Sequence, residues 1–179
     1  MPEDIWKSHL EIRKRSTLLF ETPWFQVLDF ENYGYLSYPD RHIVVLPVIP
    51  GHGIVMVKVR RPVTGGSTWE LPAGACEEGE STTQGARREL MEETGITIDP
   101  GQVFTPLPRV LVSPTRLPVS PEIFQVDITP EKYGSRAPHD SEIEEVRLIL
   151  FDDVKRMMQD GRIVVSMPLA ILGRYFLTT

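Results

Sequence analysis

Residues 74–96 read GACEEGESTTQGARRELMEETGI, and they say more about fold and chemistry than any other stretch of the chain. Ser81 followed by Gln84 is a capping box, and Gly95 supplies the left-handed residue that closes many helices, so a helix is expected over 82–94. On that helix Glu89, Glu92 and Glu93 fall within an arc of roughly 100°, and Thr83, Ala86, Leu90 and Thr94 fill the neighbouring arc. One flank packs and the adjoining flank is acidic. Glu89 and Glu93 stand one turn apart, so their oxygens can converge on one or two hard cations, and Mg²⁺ favours a few carboxylates completed by water and phosphate. Gly85 adds no side chain to that arc, a vacancy that could admit a metal or a phosphate. The plainer reading is a solvated face paired with Arg87 and Arg88. Against it, three carboxylates at this spacing repel one another, and Glu93 meets the negative end of the helix dipole at a cost of about 0.3 to 1 kcal/mol. Such local penalties collect at functional sites.

Working outward, FQVLDF (25–30), YGYLSY (33–38), HIVVLPVI (42–49) and GIVMVKV (53–59) read as strands separated by turn residues. Pro47 suggests an edge position or a bend, because proline cannot donate to a ladder. Residues 61–67, RPVTGGS, read as a loop. Beyond the helix come strand-like runs at 103–112, 122–128 and 145–151, with a proline-rich surface loop from Pro106 to Pro121. Two late helices are expected, Asp152 to Asp160 and Met167 to Tyr175, the second capped by Ser166 with Pro168 in its first turn. Residues 1–20 mix charged and apolar positions, and Arg13, Lys14 and Arg15 read as a solvated basic face. The whole reads as one α/β (α+β) domain spanning 1–179, with N-terminal strands within 1–40 and sheets with few helices rather than strict βαβ alternation.

The 179 residues are 41% hydrophobic and 25% charged, enough for one substantial core. A net charge of −6 argues against nucleic acid or an anionic membrane as partner. It also means that a phosphate-bearing substrate needs a cation between itself and the carboxylates, and a divalent metal is the usual one. No apolar run reaches about 18 residues, and the charged N-terminus is unlike a signal peptide, so a cytoplasmic location is expected. Cys76 is the single cysteine; it forms no internal disulfide and is expected to pack as a small hydrophobe.

Gly74, Glu80, Arg88, Glu89, Leu90, Glu92, Glu93, Gly95 and Ile96 fill every fixed position of a known pattern, and the segment resembles the Nudix box. The resemblance implies a loop–helix–loop carried on an α/β/α sandwich with a mixed sheet. It implies hydrolysis of a nucleoside diphosphate linked to a further group, aided by Mg²⁺ (or Mn²⁺). Glu89 and Glu93 would bind metal, Glu92 would contribute to a second ion, Arg88 would orient the glutamates, and Glu80 would steady the loop or bind metal through water. Glu70 to Gly74, ELPAG, resembles the ADP-ribose and nucleoside-diphosphate-sugar pyrophosphatases, which implies a metal contact from the Ala73 carbonyl. The comparison with that branch also matches Pro114 to a proline past the box, and the tail 157–176, around Gly161 and Arg162, to its closing helices.

In HDSEIEEV (139–146) the same branch supplies a water-orienting carboxylate. Glu142 is the match, Asp140 the alternative, and Glu144 or Glu145 stand if the loop register differs. Arg60, Arg61 and Glu70 fall where the branch holds the diphosphate or terminal ribose, though the arginines could equally be surface charges. Trp24 and Trp69 could stack on a base or serve as core or interface residues. The resemblance also implies a homodimer built by exchange of N-terminal strands. Nucleoside triphosphates, dinucleoside polyphosphates or a coenzyme A type molecule are the alternative substrates. A ligand-sensing regulator without catalysis is a distant third reading, disfavoured by the intact set of box glutamates.

Overall fold

The run HIVVLPVI becomes β4 (His42–Ile49), buried along almost its whole length in the computed structural model, which describes residues 2–38, 41–137 and 139–178, with side chains from residue 8 onward. Alternate residues of a strand face opposite ways, so a continuous apolar run must be covered on both sides. Ile43, Val45 and Ile49 face one layer, together with Val55, Val57 and Val59 of β5 (Gly53–Arg61). They pack on Ala86 and Leu90 of α2 (Thr82–Thr94) and on Ile96 just beyond it. Val44, Leu46, Val48, Ile54 and Met56 face the other way. They meet Val154 and Met157 of α4 (Phe151–Gln159) and Ile171 and Leu172 of α5 (Ser166–Thr178). The result is the expected three-layer α/β/α sandwich.

The sheet between the helices is mixed. β10 (Ile143–Leu150), β5, β4, β9 (Glu122–Asp127) and β8 (Thr105–Leu107) lie in that order, with β6 (Gly66–Glu70) also on β5 and β7 (Ala73–Ala75) also on β4. β4 and β9 run parallel, from Ile43↔Glu122 to Val48↔Asp127, and every other pairing in the sheet is antiparallel. Pro47 lies in this central strand and not at an edge. β5 pairs with β4 only at Val48 and Ile49, and β7 only at 42–44. The Val45 N–H reaches the Pro72 carbonyl (2.8 Å) on that side, so position 47 looks into the gap between the two partners, where a missing donor costs little.

A second, three-stranded antiparallel sheet holds β1 (Thr17–Glu21), β2 (Gln26–Phe30) and β3 (Tyr33–Ser37) in that order. The β2–β3 turn places Glu31 and Asn32 at φ 52° and 68°, the left-handed pair that a two-residue hairpin loop requires. Ahead of this sheet, where strands were expected, Pro2–Arg15 forms α1. Arg13, Lys14 and Arg15 in its last turn match the helix dipole. The basic cluster is not simply solvated. Arg13 reaches the Gln26 side chain (3.3 Å) and Arg15 lies 5.2 Å over the Phe30 ring, while Lys14 pairs with Glu11 in the open.

Other boundaries move. The loop expected at 61–67 is a single turn, Pro62–Thr64 ending on Gly65 at φ 74°, after which β6 pairs back on β5. Only Thr105–Leu107 of the run 103–112 is strand, and a short helix, α3 (Pro130–Gly134), starts at the Thr129 cap. α4 starts one residue before the expected helix and α5 runs on to Thr178. Cys76 is buried, as its small apolar character suggested. No helix is long and apolar enough to cross a membrane among the described residues.

Candidate active site

The acidic flank of α2 is assembled against β7, with one glycine making the fit. A β-carbon on Gly74 would fall on the Glu89 carboxyl group, so only glycine lets the strand pass that close. Ser81 caps the helix as expected, with the reciprocal Gln84 bond, and Gly95 ends it at φ 71°. A β-carbon on Gly95 would also strike the Ala137 carbonyl. Two expectations for this helix change. Thr83 is exposed rather than packed. The space above Gly85 is already filled by Cys76 Sγ and Glu80 Oε2, each 3.1 Å from where its β-carbon would be.

Arg88 organises the carboxylates. Its guanidinium donates to Glu80 (3.2 and 3.1 Å), Glu89 (2.8 Å), Glu92 (2.8 Å) and the Ala75 carbonyl (2.7 Å). Burial works against its charge, yet these bonds outweigh that and hold its pKa above the ordinary arginine value. The same bond, with the Glu77 N–H, holds Glu80 below the usual carboxylate range. Glu89 is pushed the other way by burial, only partly offset by Arg88. Glu93 accepts a hydrogen bond from the Ala73 N–H (3.1 Å), and no lysine or arginine among the described residues is bonded to it. Burial, with Glu89 and Glu70 nearby, pushes its pKa up to about 8.

Opposite this array stands Arg61, whose guanidinium grips Glu70 through two bonds of 2.8 and 2.9 Å. That bond first, and then the charges of Glu70, Glu93 and Glu142, raise its pKa, so these groups lie within electrostatic reach of it. Arg61 and Glu70 were read separately from the sequence. The β5–β6 register sets Arg61 opposite Gly66 and Glu70 opposite Val57, so the pair is made by the long Arg61 side chain reaching along the hairpin, and no sequence signal showed it. Arg60 lies beside them, lining a depression of about 390 Å³ with Ser67 and Glu144.

The 139–146 loop is tied to the end of α2. Ala137 donates to the Gly95 carbonyl and Asp140 to the Glu92 carbonyl, each at 2.9 Å. Glu142 follows at the end of β5, its carbonyl accepting from the Arg60 N–H (3.4 Å), and its side chain is exposed. Glu144 faces Lys58 (3.6 Å), and a hydrogen bond from Ser67 leads the effects that lower its pKa. Glu145 is bonded to Arg147 (2.7 Å). Trp69 carries Arg147 over its ring (5.3 Å) and packs against the α4–α5 layer, whereas Trp24 is 73% exposed on the small sheet.

Residues that sequence reading passed over brace the frame. Arg41 bonds the Glu80 carbonyl, and Thr82 at the start of α2 donates to Glu122 (2.8 Å), which pairs with Arg109 (3.0 Å). These contacts cross about 40 residues of chain, and nothing local announces them. Among the described residues no three acidic or imidazole side chains stand together as a ready-made metal cage, since Arg88 draws Glu89 and Glu92 to itself. The donor set nevertheless suits a hard divalent cation. It offers carboxylates, and Glu93 is an acid whose ionised form has no lysine or arginine bonded to it among the described residues.

Residues 39–166 match the model of the NUDIX domain family. "Phosphatase NudJ" of Escherichia coli strain K12 is 31% identical over 113 residues, covering 63% of this chain and 71% of the relative. The protein of the same description from Shigella flexneri aligns equally well. A solved crystal structure described as an ADP compounds hydrolase superposes with a TM-score of 0.67 over 91% of both chains, at 17% identity, a likeness of fold. With the family model spanning the sheet, the box helix and the acidic loop, the chain belongs to the Nudix hydrolase family.

Proposed function

We propose that this protein hydrolyses the diphosphate linkage of a nucleoside diphosphate derivative, ADP-ribose or a nucleotide sugar, giving a nucleoside monophosphate and a sugar phosphate. The observation that carries the reading is the arrangement of Glu89, Glu92 and Glu93 on one helix face, the first two held by Arg88, with Arg61 close enough to feel the charges of Glu93 and Glu142. Glu89, Glu93 and the Ala73 carbonyl would hold Mg²⁺ (or Mn²⁺), with Glu92 serving a second ion. The metal supplies a lowered pKa for the attacking water and neutralises charge on the phosphates. The remaining work falls to the chain. Arg88 fixes the glutamates in place. Glu142 orients the water at the phosphorus. Arg61, with Arg60, grips the diphosphate or terminal ribose, and Glu70 presets Arg61 for it.

A second reading keeps the chemistry and changes the substrate to a nucleoside triphosphate, a dinucleoside polyphosphate or a coenzyme A type molecule. The protein is proposed to act in the cytoplasm on small nucleotides, not on nucleic acid or membranes, and to work as a homodimer. The purified protein incubated with Mg²⁺ and ADP-ribose, nucleotide sugars, dinucleoside polyphosphates and triphosphates separates the readings. Orthophosphate appearing only after added phosphatase, from ADP-ribose or a nucleotide sugar, and abolished in E93Q, is the expected result. Turnover of triphosphates alone moves the substrate to the second reading, and wild-type turnover by E142Q removes Glu142 from the water.

A further inference from the structure

Arg61 ends the row of β5 side chains that faces the box helix. Val55, Val57 and Val59 alternate along the strand and pack on Ala86 and Leu90 of α2, and the next position on that face is Arg61. The alternation carries its guanidinium out of the core to where it feels the charge of Glu93. Across the hairpin Thr68 pairs with Val59 and Glu70 with Val57, so both stand on the same face. Gly66, opposite Arg61, contributes no side chain. The Arg61 side chain therefore runs back along β6, past Thr68, to reach Glu70.

Three bonds meet on the Glu70 carboxylate. Arg61 Nε donates to Oε1 (2.8 Å), Arg61 Nη2 to Oε2 (2.9 Å) and Thr68 Oγ1 to Oε1 (2.6 Å). The outer torsion of a glutamate is broad, so an arginine bond alone would let the two groups turn together. The hydroxyl sits on a β-branched residue of restricted χ1 and ties the carboxylate to β6. The Glu70 side chain is 13% exposed and that of Arg61 46%, an anchor held inside and a cation held at the surface.

A guanidinium carries five N–H donors in a rigid fork. Nε and Nη2 are engaged side-on by Glu70, and among the described residues no other partner is bonded to the group. Its outer edge, Nη1 with the second Nη2 N–H, stays open, and two parallel N–H groups of this kind take two oxygens of one phosphate. We propose that Thr68 is a positioning residue for the diphosphate: its hydroxyl locks Glu70 and thereby holds the open edge of Arg61 toward the phosphates bound at the box. The inference rests on the role of Arg61 proposed above and adds the residue that sets the direction of that arginine.

Thr68→Val removes the hydroxyl at equal shape, and Thr68→Ser keeps it. Calorimetry with Mg²⁺ compares α,β-methylene-ADP, a diphosphate that is not cleaved, with AMP, which lacks the second phosphate. The expected result is that α,β-methylene-ADP binds the wild type, weakens about fivefold or more in Thr68→Val and returns to within about twofold in Thr68→Ser, while AMP affinity and Tm hold. The KM of whichever substrate is turned over should rise in Thr68→Val at unchanged kcat. A hydroxyl that only stabilises the hairpin would lower Tm and weaken both ligands alike. That outcome overturns the proposal, as does a loss that serine does not restore, equal α,β-methylene-ADP affinity in the three proteins, or no binding of it at millimolar concentration. Weakened α,β-methylene-ADP binding in Thr68→Val while nothing is hydrolysed would sink the proposed function and leave the positioning role standing; hydrolysis with an unchanged KM in Thr68→Val would do the reverse.

Discussion

Glu93 is the residue in which burial and chemistry conflict most directly. Its folded pKa of about 8 lies above the ordinary 4.5, so the folded state prefers the protonated form. That preference contributes stability that is complete below pH 4.5 and is lost as pH rises through about 8. The metal-free protein should therefore melt at progressively lower temperature from pH 5 to pH 9, and Mg²⁺ should restore Tm most strongly above pH 8. In E93Q the slope should flatten; an E93Q melting profile parallel to wild type would refute the assignment. Ligand carboxylates must be ionised to bind metal, so apparent Mg²⁺ affinity should rise toward pH 8 by up to about tenfold per unit. Gly74 makes a second prediction at this scale. In Gly74→Ala the new methyl takes the place of the Glu89 carboxyl group, and activity should fall by about 100-fold or more while the helix survives, a split readable as lost kcat beside retained circular dichroism.

At the scale of elements, α2 and the 135–143 loop behave as one unit, because the last turn of the helix and the loop exchange backbone bonds at Gly95 and Glu92. Gly95→Ala combines a left-handed φ of 71° with a collision against the Ala137 carbonyl. It should cost about 1 to 3 kcal/mol, lowering Tm by roughly 3 to 10 °C, and loosen the loop that carries Glu142. A Tm within one degree of wild type would mean that the loop does not rest on this turn. The box helix was legible in advance since its caps are local: Ser81, Gln84 and Gly95 act within a few residues of where they stand. Pro47 was misjudged because its tolerance depends on where β5 and β7 leave β4, a fact about partners rather than about the strand. The β6 strand was missed for a similar reason, its short polar sequence being held in place by pairing with β5.

For the whole molecule, β1 is the open question of assembly. It is the edge of the small sheet and exposed along its length, with Leu19 60% and Phe20 57% exposed and Trp24 nearby. An apolar, unpaired edge of this kind invites a partner strand. The double variant Leu19→Glu, Phe20→Glu should convert the proposed dimer to monomer by light scattering, without loss of Mg²⁺ binding; a wild type already monomeric at tens of micromolar would remove the dimer.

The sequence alone determined the box helix, its acidic face and the strands either side, because these follow from caps, periodicity and fixed spacings that act over short stretches of chain; the α/β/α class came with the resemblance to the Nudix box. Only the tertiary structure decided which cation meets which carboxylate. Arg88 could as easily have served one glutamate as three, and Arg61 and Glu70 became a pair through the reach of the Arg61 side chain along the hairpin rather than through its register. It also decided that the gap above Gly85 is filled from within, by Cys76 and Glu80, and that Glu93 is half-buried with no lysine or arginine bonded to it among the described residues. Burial and long-range contact are properties of the packed chain, and no local pattern of residues encodes them.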